Sequence, residues 1–220
     1  MTNIYQKFGK RVFDLFLSVF VFFLTWPVFL VLAQIIKLSS PGPIIFKQKR
    51  IGKNSKVFTL YKFRTMVKEA EELKKKYFHL NEADGPVFKI KNDPRFINGL
   101  GKFLARSGLD ELPNVFNVLQ GRMSWVGPRP LPVHEAKKIN PKIKKIRESV
   151  LPGITSNWVV SGAHSLSFKQ WMKLDKEYIR KISLIQDLRI VLKTLNLSLN
   201  LIKTFLLKKV NPFSVNQARK

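Results

Sequence analysis

The 220-residue chain carries 40 Lys and Arg against 14 Asp and Glu, a formal net charge of +26, and has no Cys. The missing Cys excludes disulfides, a thiolate metal site and a cysteine nucleophile, and a hydrophobic content of 45% excludes a disordered chain. The charge implies anionic partners (nucleic acid, phospholipid headgroups or phosphorylated substrates), and the length suffices for one domain with a core plus a membrane element.

Residues 15–36 read LFLSVFVFFLTWPVFLVLAQII, without a charge. As a helix this run would be about 33 Å long at ~1.5 Å per residue, enough to cross a bilayer core. It is too long for the core of a signal peptide and lacks a small-residue cleavage site. Pro27 sits near its middle, where proline removes a backbone hydrogen bond and kinks or breaks a helix. Lys7, Lys10 and Arg11 precede the run; Lys37, Lys47, Lys49, Arg50 and Lys53 follow it. The positive-inside rule places both flanks in the cytoplasm. A helix that enters the membrane, breaks at Pro27 and returns satisfies both; an ordinary kinked span is the alternative. Asp14 is expected to pair with Lys10 and Arg11, one turn back.

SSPGP at 39–43 reads as a turn-rich exit from the run. IIFKQKRIGKNSKVFTLYKFRTM then alternates apolar and basic residues, which predicts two short strands near 44–50 and 56–61 with a turn at Gly52-Lys53-Asn54. VKEAEELKKKYF predicts a helix with charges of both signs. The stretch 79–99, with Gly85-Pro86 and Asp93-Pro94, reads as loop with at most one short strand. A helix near 102–106 leads to Asp110-Glu111, and 133–149 reads as helical with an interruption at Asn140-Pro141. The pattern at 169–209 carries Ile, Leu and Val at helical spacing with Lys and Arg between them. It suits either an amphipathic helix on a membrane surface or a core-packed helix. The tail VNPFSVNQARK reads as frayed.

In so basic a chain the adjacent carboxylates Asp110 and Glu111, in SGLDELPNVFNVLQG, need a reason. Ser107, three residues before Asp110, resembles the start of a capping box. That would put Asp110 near a helix N-terminus, where the dipole keeps it ionised or holds a phosphate nearby. An ionised Asp can attack phosphorus. Attack by an anion on a phosphate needs neutralising charge, which Mg²⁺ on hard carboxylate oxygens and Lys or Arg side chains supply. The candidates are Lys62 and Arg64 in YKFRTM, Arg95 in NDPRF, Arg106 four residues before the pair, and Arg129 in GPRP, with Asp110 and Glu111 themselves as metal ligands. The plainer alternative is surface pairing of Asp110 and Glu111 with nearby cations. No P-loop, dinucleotide or metalloprotease fingerprint is present, and His79, His134 and His164 are not spaced as a zinc site.

KRVFDLFLS, the apolar run with Pro27, SPGPIIFKQKRIGKNSKVFTLYKFRTM, NDPRF, SGLDELPNVFNVLQGRMSWVGPRP, and PGIT with a following VSG occur in this order between about Lys10 and Lys203. Together they resemble the bacterial sugar transferase family, the monotopic polyprenyl-phosphate phosphoglycosyl transferases. The resemblance implies a re-entrant membrane helix and a cytoplasmic catalytic domain on the inner leaflet of the bacterial plasma membrane. It implies transfer of a sugar 1-phosphate from a UDP-sugar to polyprenyl (undecaprenyl) phosphate, starting a glycan for capsule, exopolysaccharide, O-antigen or glycoprotein. Asp110 would be the nucleophile that forms a covalent phosphosugar with release of UMP. Glu111 would hold Mg²⁺ or position groups around it. Lys62 and Arg129 match phosphate-contacting cations, and Arg64, Arg95 and Arg106 are further transfers.

The chain departs from the family pattern at Gly108, where Ser is common, and at Ser156, Val159 and Ala163, which replace a Gly, a Gln and an Arg. His164 beside the last is a candidate substitute, and Trp125, where Leu is usual, is expected to serve packing. The expected architecture is α+β and predominantly helical, with a re-entrant membrane helix at 1–38, a catalytic domain at 39–207 and a basic tail at 208–220. The expected partners are UDP-sugar, polyprenyl phosphate and anionic inner-membrane lipids, and a homodimer is compatible with the chain. Nucleic acid is not expected, because Asp110 and Glu111 would repel its phosphates unless a metal intervened. The competing readings are a catalytically degenerate family member and a non-enzymatic basic protein of a membrane surface or of nucleic acid.

Overall fold

Residues 4–210 are described by a computed structural model. The apolar run forms one long helix, α1 (Lys10–Ser39), entered through a π-helical stretch at Tyr5–Gly9. Where the sequence suggested two arms, the helix continues through Pro27. Pro27 has no N–H to offer the Phe23 carbonyl, so this point is weakened without being broken.

Both ends of α1 are tied to the rest of the chain. Near its start, Arg11 donates to the carbonyls of Val118 and Leu119 at 2.6 and 3.0 Å. Asp14 Oδ1 accepts from Ser124 Oγ at 2.9 Å and from the Trp125 amide at 3.0 Å. The hydrogen bonds of Asp14 therefore go to a distant strand and not to Lys10 and Arg11, because Lys10 reaches Asp187 at 2.6 Å and the Tyr178 hydroxyl at 3.0 Å. Near the other end, Leu32 and Ile36 are buried with Phe63 and Leu104. Between these anchors Phe16, Phe20, Phe23, Leu24 and Val31 face outward.

The expected hairpin is present as β1 (Ile45–Ile51) and β2 (Val57–Phe63), antiparallel, with Lys62 opposite Phe46. Asn54 takes a positive φ in the turn, as the sequence Gly-Lys-Asn suggested. After α2 (Ala70–Lys76) and a long loop, α3 (Asn98–Ser107) leads to a 3₁₀ helix, Leu109–Asn114, and then α4 (Val115–Leu119). A second, parallel pair joins β3 (Ser124–Val126) to β4 (Gly153–Thr155). Between them lie α5 (Val133–Ala136) and α6 (Pro141–Arg147), the latter capped by Asn140 with Pro141 at its first turn.

After the short α7 (Asn157–Val160), the pattern at 169–209 resolves into two helices, α8 (Phe168–Arg180) and α9 (Leu184–Val210), and not one. Ile182 is buried between them with Val126, Tyr178 and Ile190, and Ser183 Oγ accepts from the Gln186 amide to start the new helix. α9 turns Ile185, Leu192, Leu195, Leu199 and Leu206 outward. Among the described residues, two helical stretches, Tyr5–Ser39 and Leu184–Leu207, are long and apolar enough to cross a membrane. The fold is thus α+β and predominantly helical, as expected. Most of the tail at 208–220 lies outside the described residues.

Candidate active site

The acidic pair lies in the 3₁₀ helix between α3 and α4. Ser107 does not cap it. Ser107 is the last residue of α3, and its hydroxyl donates back to the carbonyls of Phe103 and Leu104. The chain then turns at Gly108, with φ near +77°, a conformation that an L side chain resists. That geometry accounts for Gly where the family pattern commonly has Ser. Asp110 emerges just beyond the turn and is 6% exposed.

β2 supplies the first cation. Asn117, fully buried on α4, donates to the Thr59 carbonyl at 2.8 Å and accepts from the Tyr61 amide at 3.2 Å, which fixes β2 against the 3₁₀ segment. Lys62 Nζ then lies 2.5 Å from Glu111 Oε1 and 3.4 Å from Asp110 Oδ2. Arg129 supplies the second, with Nη1 3.1 Å from Glu111 Oε1. It sits in the loop after β3, held between Pro128 and Pro130. That loop lies flush on β4: Gly127 donates to Thr155 and Gly153 donates to Pro128, both at 3.0 Å. A Cβ on Gly153 would collide with the backbone of Gly127, so the approach requires glycine.

The electrostatics separate the two carboxyls. Burial pushes Asp110 above the ordinary carboxylate range; Lys62 counters this and the Glu111 charge adds to it. Burial acts on Glu111 too, but Lys62 and Arg129 together outweigh it and bring it down to about 2. Glu111 is therefore the fixed anion of the pair, and Asp110 is the group poised to change state.

Four of the seven predicted residues thus converge: Asp110, Glu111, Lys62 and Arg129. The other three lie elsewhere. Arg64 follows the end of β2 and caps α1, donating to the Ser40 carbonyl at 2.6 Å and to its hydroxyl at 2.8 Å. Arg95 is paired with Asp93 at 2.6 Å. Arg106 is exposed on α3.

The structure adds Arg50 and Asn114, which the sequence reading did not place at the site. Arg50, read there only as a flank of the membrane run, donates to the Pro130 carbonyl at 2.9 Å. Burial, with help from Arg129, brings its guanidinium down to about 10. Asn114 is 1% exposed, and neither its amide nitrogen nor its oxygen has a partner. Both residues line a space of about 10 Å³ with Lys62, Glu111 and Arg129, the size of one water. A larger cavity of about 210 Å³ is also lined by Arg129, together with Phe88, Glu135, Trp158, Phe168 and Trp171.

Among the described residues no cluster of three or more His, Cys, Asp or Glu forms. The dyad itself offers hard oxygens: the cation contacts use Asp110 Oδ2 and Glu111 Oε1, leaving Oδ1 and Oε2. Two carboxylates that leave the other positions to water and phosphate match the demands of Mg²⁺, so the residues fit that ion.

The family profile described as bacterial sugar transferase matches residues 5–200. The chain belongs to the bacterial sugar transferase family. The galactosyl transferase CpsE of Streptococcus agalactiae is 44% identical over 159 residues, covering 72% of this chain and 35% of that protein. The undecaprenyl-phosphate galactose phosphotransferase of Salmonella typhimurium is 34% identical, covering 86% of this chain and 40% of that protein. The exopolysaccharide production protein ExoY of Rhizobium meliloti is 34% identical, covering 85% of this chain and 84% of that protein. The chain thus spans well under half of the first two relatives.

The departures from the family pattern have local roles. Ser156 caps α7, accepting from the Val159 amide at 3.3 Å. Val159 packs on the cluster around Trp158, and Ala163 takes a φ of 41°. The side chain of His164 is not described. Trp125 packs as expected and also donates from Nε1 to Ser18 at 2.9 Å.

Proposed function

We propose that this chain transfers a sugar 1-phosphate from a UDP-sugar to polyprenyl phosphate through a covalent intermediate on Asp110. The observation that carries the reading is a buried Asp110 beside two cations, Lys62 and Arg129, that already sit on its neighbour Glu111. The relatives' names support the donor and acceptor classes, among them a UDP-glucose:undecaprenyl-phosphate glucose-1-phosphate transferase of Escherichia coli, 37% identical over 193 residues.

Each step follows from the charges. In its ionised form Asp110 attacks the sugar-proximal phosphorus through a carboxylate oxygen. An O–P bond forms, the bond to the bridging oxygen breaks, and UMP leaves with that oxygen and its electron pair. Lys62 and Arg129 offset the negative charge that repels this attack. An oxygen of polyprenyl phosphate then attacks the same phosphorus and the acyl-phosphate bond breaks, restoring the Asp110 carboxylate and giving a polyprenyl-diphosphate sugar. Asp110 and Glu111 would hold Mg²⁺, which when bound neutralises diphosphate charge.

The attachment of α1 supports a monotopic arrangement, and the basic flanks of the apolar run support a cytoplasmic location for the domain. A helix crossing the bilayer would hold its ends about 30 Å apart on opposite sides. Here Arg11, Asp14 and Ser18 at one end and Leu32 and Ile36 at the other all touch the same domain. The outward faces of α1 and α9 supply the apolar surface, and the basic excess suits anionic headgroups.

The test is incubation with UDP-glucose or UDP-galactose, Mg²⁺ and polyprenyl phosphate. UMP release is expected, with a phosphosugar adduct on Asp110 when acceptor is withheld. Asp110→Asn should lose both by a factor of about 10³ or more. Full activity in that variant would overturn the reading.

A further inference from the structure

Arg129 is held by more than its carboxylate. Its guanidinium lies over the ring of Trp158, 5.7 Å from the centroid. Trp158 stacks on Trp171 at 4.4 Å with 19° between the planes. The Arg147 guanidinium lies 5.7 Å from the Trp171 ring. Arg147 Nη2 then donates to the Arg129 carbonyl at 2.8 Å, so the contacts close into a ring that returns to the residue where they began. Asp175 anchors it, accepting from Arg147 Nε at 2.8 Å; Asp175 and Trp171 stand one turn apart on α8. Trp158, Trp171, Arg147 and Asp175 are all buried, whereas the Arg129 side chain is 29% exposed.

We propose that Trp158, Trp171, Arg147 and Asp175 form a positioning assembly that fixes Arg129 in advance, with the edge of its guanidinium presented to a phosphate of the donor. This rests on the reading of Arg129 as a phosphate contact. The physical reason is entropy. A free arginine loses several rotatable bonds when it clamps a phosphate, which weakens binding by roughly threefold to tenfold. Here an aromatic face holds the side chain and a guanidinium holds the carbonyl, so much of that loss is met on folding. A guanidinium over a ring face keeps its N–H donors for other partners, and the contact to Glu111 uses Nη1 alone.

The test is a double-mutant cycle on the full chain in detergent, with UDP in the presence of Mg²⁺ as the probe and titration calorimetry giving both Kd and the fraction of competent sites. Trp171→Leu should weaken UDP about fivefold with the site fraction unchanged, and Trp171→Phe, which keeps a π face, should recover most of that. Arg129→Ala should weaken UDP about tenfold, and adding Trp171→Leu to it should change little more. Equal loss from Trp171→Leu in both backgrounds, or loss only in the competent fraction, would show a merely structural role and overturn the proposal. No effect of Arg129→Ala would overturn it as well. A wild type that binds UDP but releases no UMP from UDP-sugars would sink the catalytic reading alone.

Discussion

Asp110 and Glu111 are neighbours in sequence and opposites in energetics. For Asp110 the folded value is raised, so the folded chain prefers the proton. Below the ordinary value of 3.8 the carboxyl is protonated in both states and costs nothing; the cost to folding grows as pH rises above 3.8 and is complete above the raised value. Asp110→Asn should therefore stabilise the protein at pH 7, by a few degrees in Tm, while abolishing turnover. For Glu111 the sign reverses. Its ion pairs contribute stability that is present above 4.5 and is lost as pH falls toward about 2. Glu111→Gln should cost on the order of 3 kcal/mol at pH 7, roughly 6–10 °C in Tm, and nothing near pH 2. Thermal unfolding in detergent across pH distinguishes the two. The rate carries a second signature: in the proposed reaction UMP release needs ionised Asp110, so its acid limb should lie above the ordinary carboxylate range. Lys62→Met removes the lowering charge and should move that limb to still higher pH. The dyad, Lys62 and Arg129 were legible because two carboxylates in a basic chain and an Arg between two prolines stand out by type. The destination of Arg64 was not, because period-two alternation would place it beside Lys62, and only the end of β2 at Phe63 sends it to α1 instead.

At the scale of elements, local signals worked where they were read and failed where tertiary contacts decided. The hairpin followed from alternation and a Gly-Lys-Asn turn. The split of α8 from α9 carried a signal that was missed: Ser167 and Ser183 each precede a Gln by three residues, and each accepts from that Gln amide. Ser107, with the same spacing to Asp110, closes a helix because Gly108 follows it. The junction of α1 with α8 and α9 was beyond local reading altogether. Lys10, Tyr5 and Tyr178 meet on Asp187, which is completely buried, from 177, 182 and 9 positions away. Lys10→Met would strand that carboxylate without its counter-charge, at an expected cost of about 3–5 kcal/mol. Loss of Tm in detergent would measure it, and restoration by Lys10→Arg would show that charge and not stem packing is responsible.

For the whole molecule, two helices with outward apolar residues and a net charge of +26 suit an anionic bilayer. The absence of Cys makes topology directly measurable. Single cysteines at Lys7 and Lys37 should both be protected from a membrane-impermeant maleimide in intact cells and should both react after permeabilisation. Labelling of Lys7→Cys from outside alone would mean that α1 crosses the membrane.

The partners of Asp14 have a consequence in time. Its hydrogen bonds come from Ser124 and Trp125, 110 and 111 positions downstream. At about 5–20 residues per second, a ribosome needs roughly 5–20 s to make that stretch. For that interval α1 exists without the domain that holds it, and only the lipid can shelter its outward phenylalanines. In the proposed membrane placement, biosynthesis therefore sets an order in which the bilayer receives the helix first and the domain closes onto it afterwards. A circular permutant that made α1 last would have to find those partners in a domain already closed.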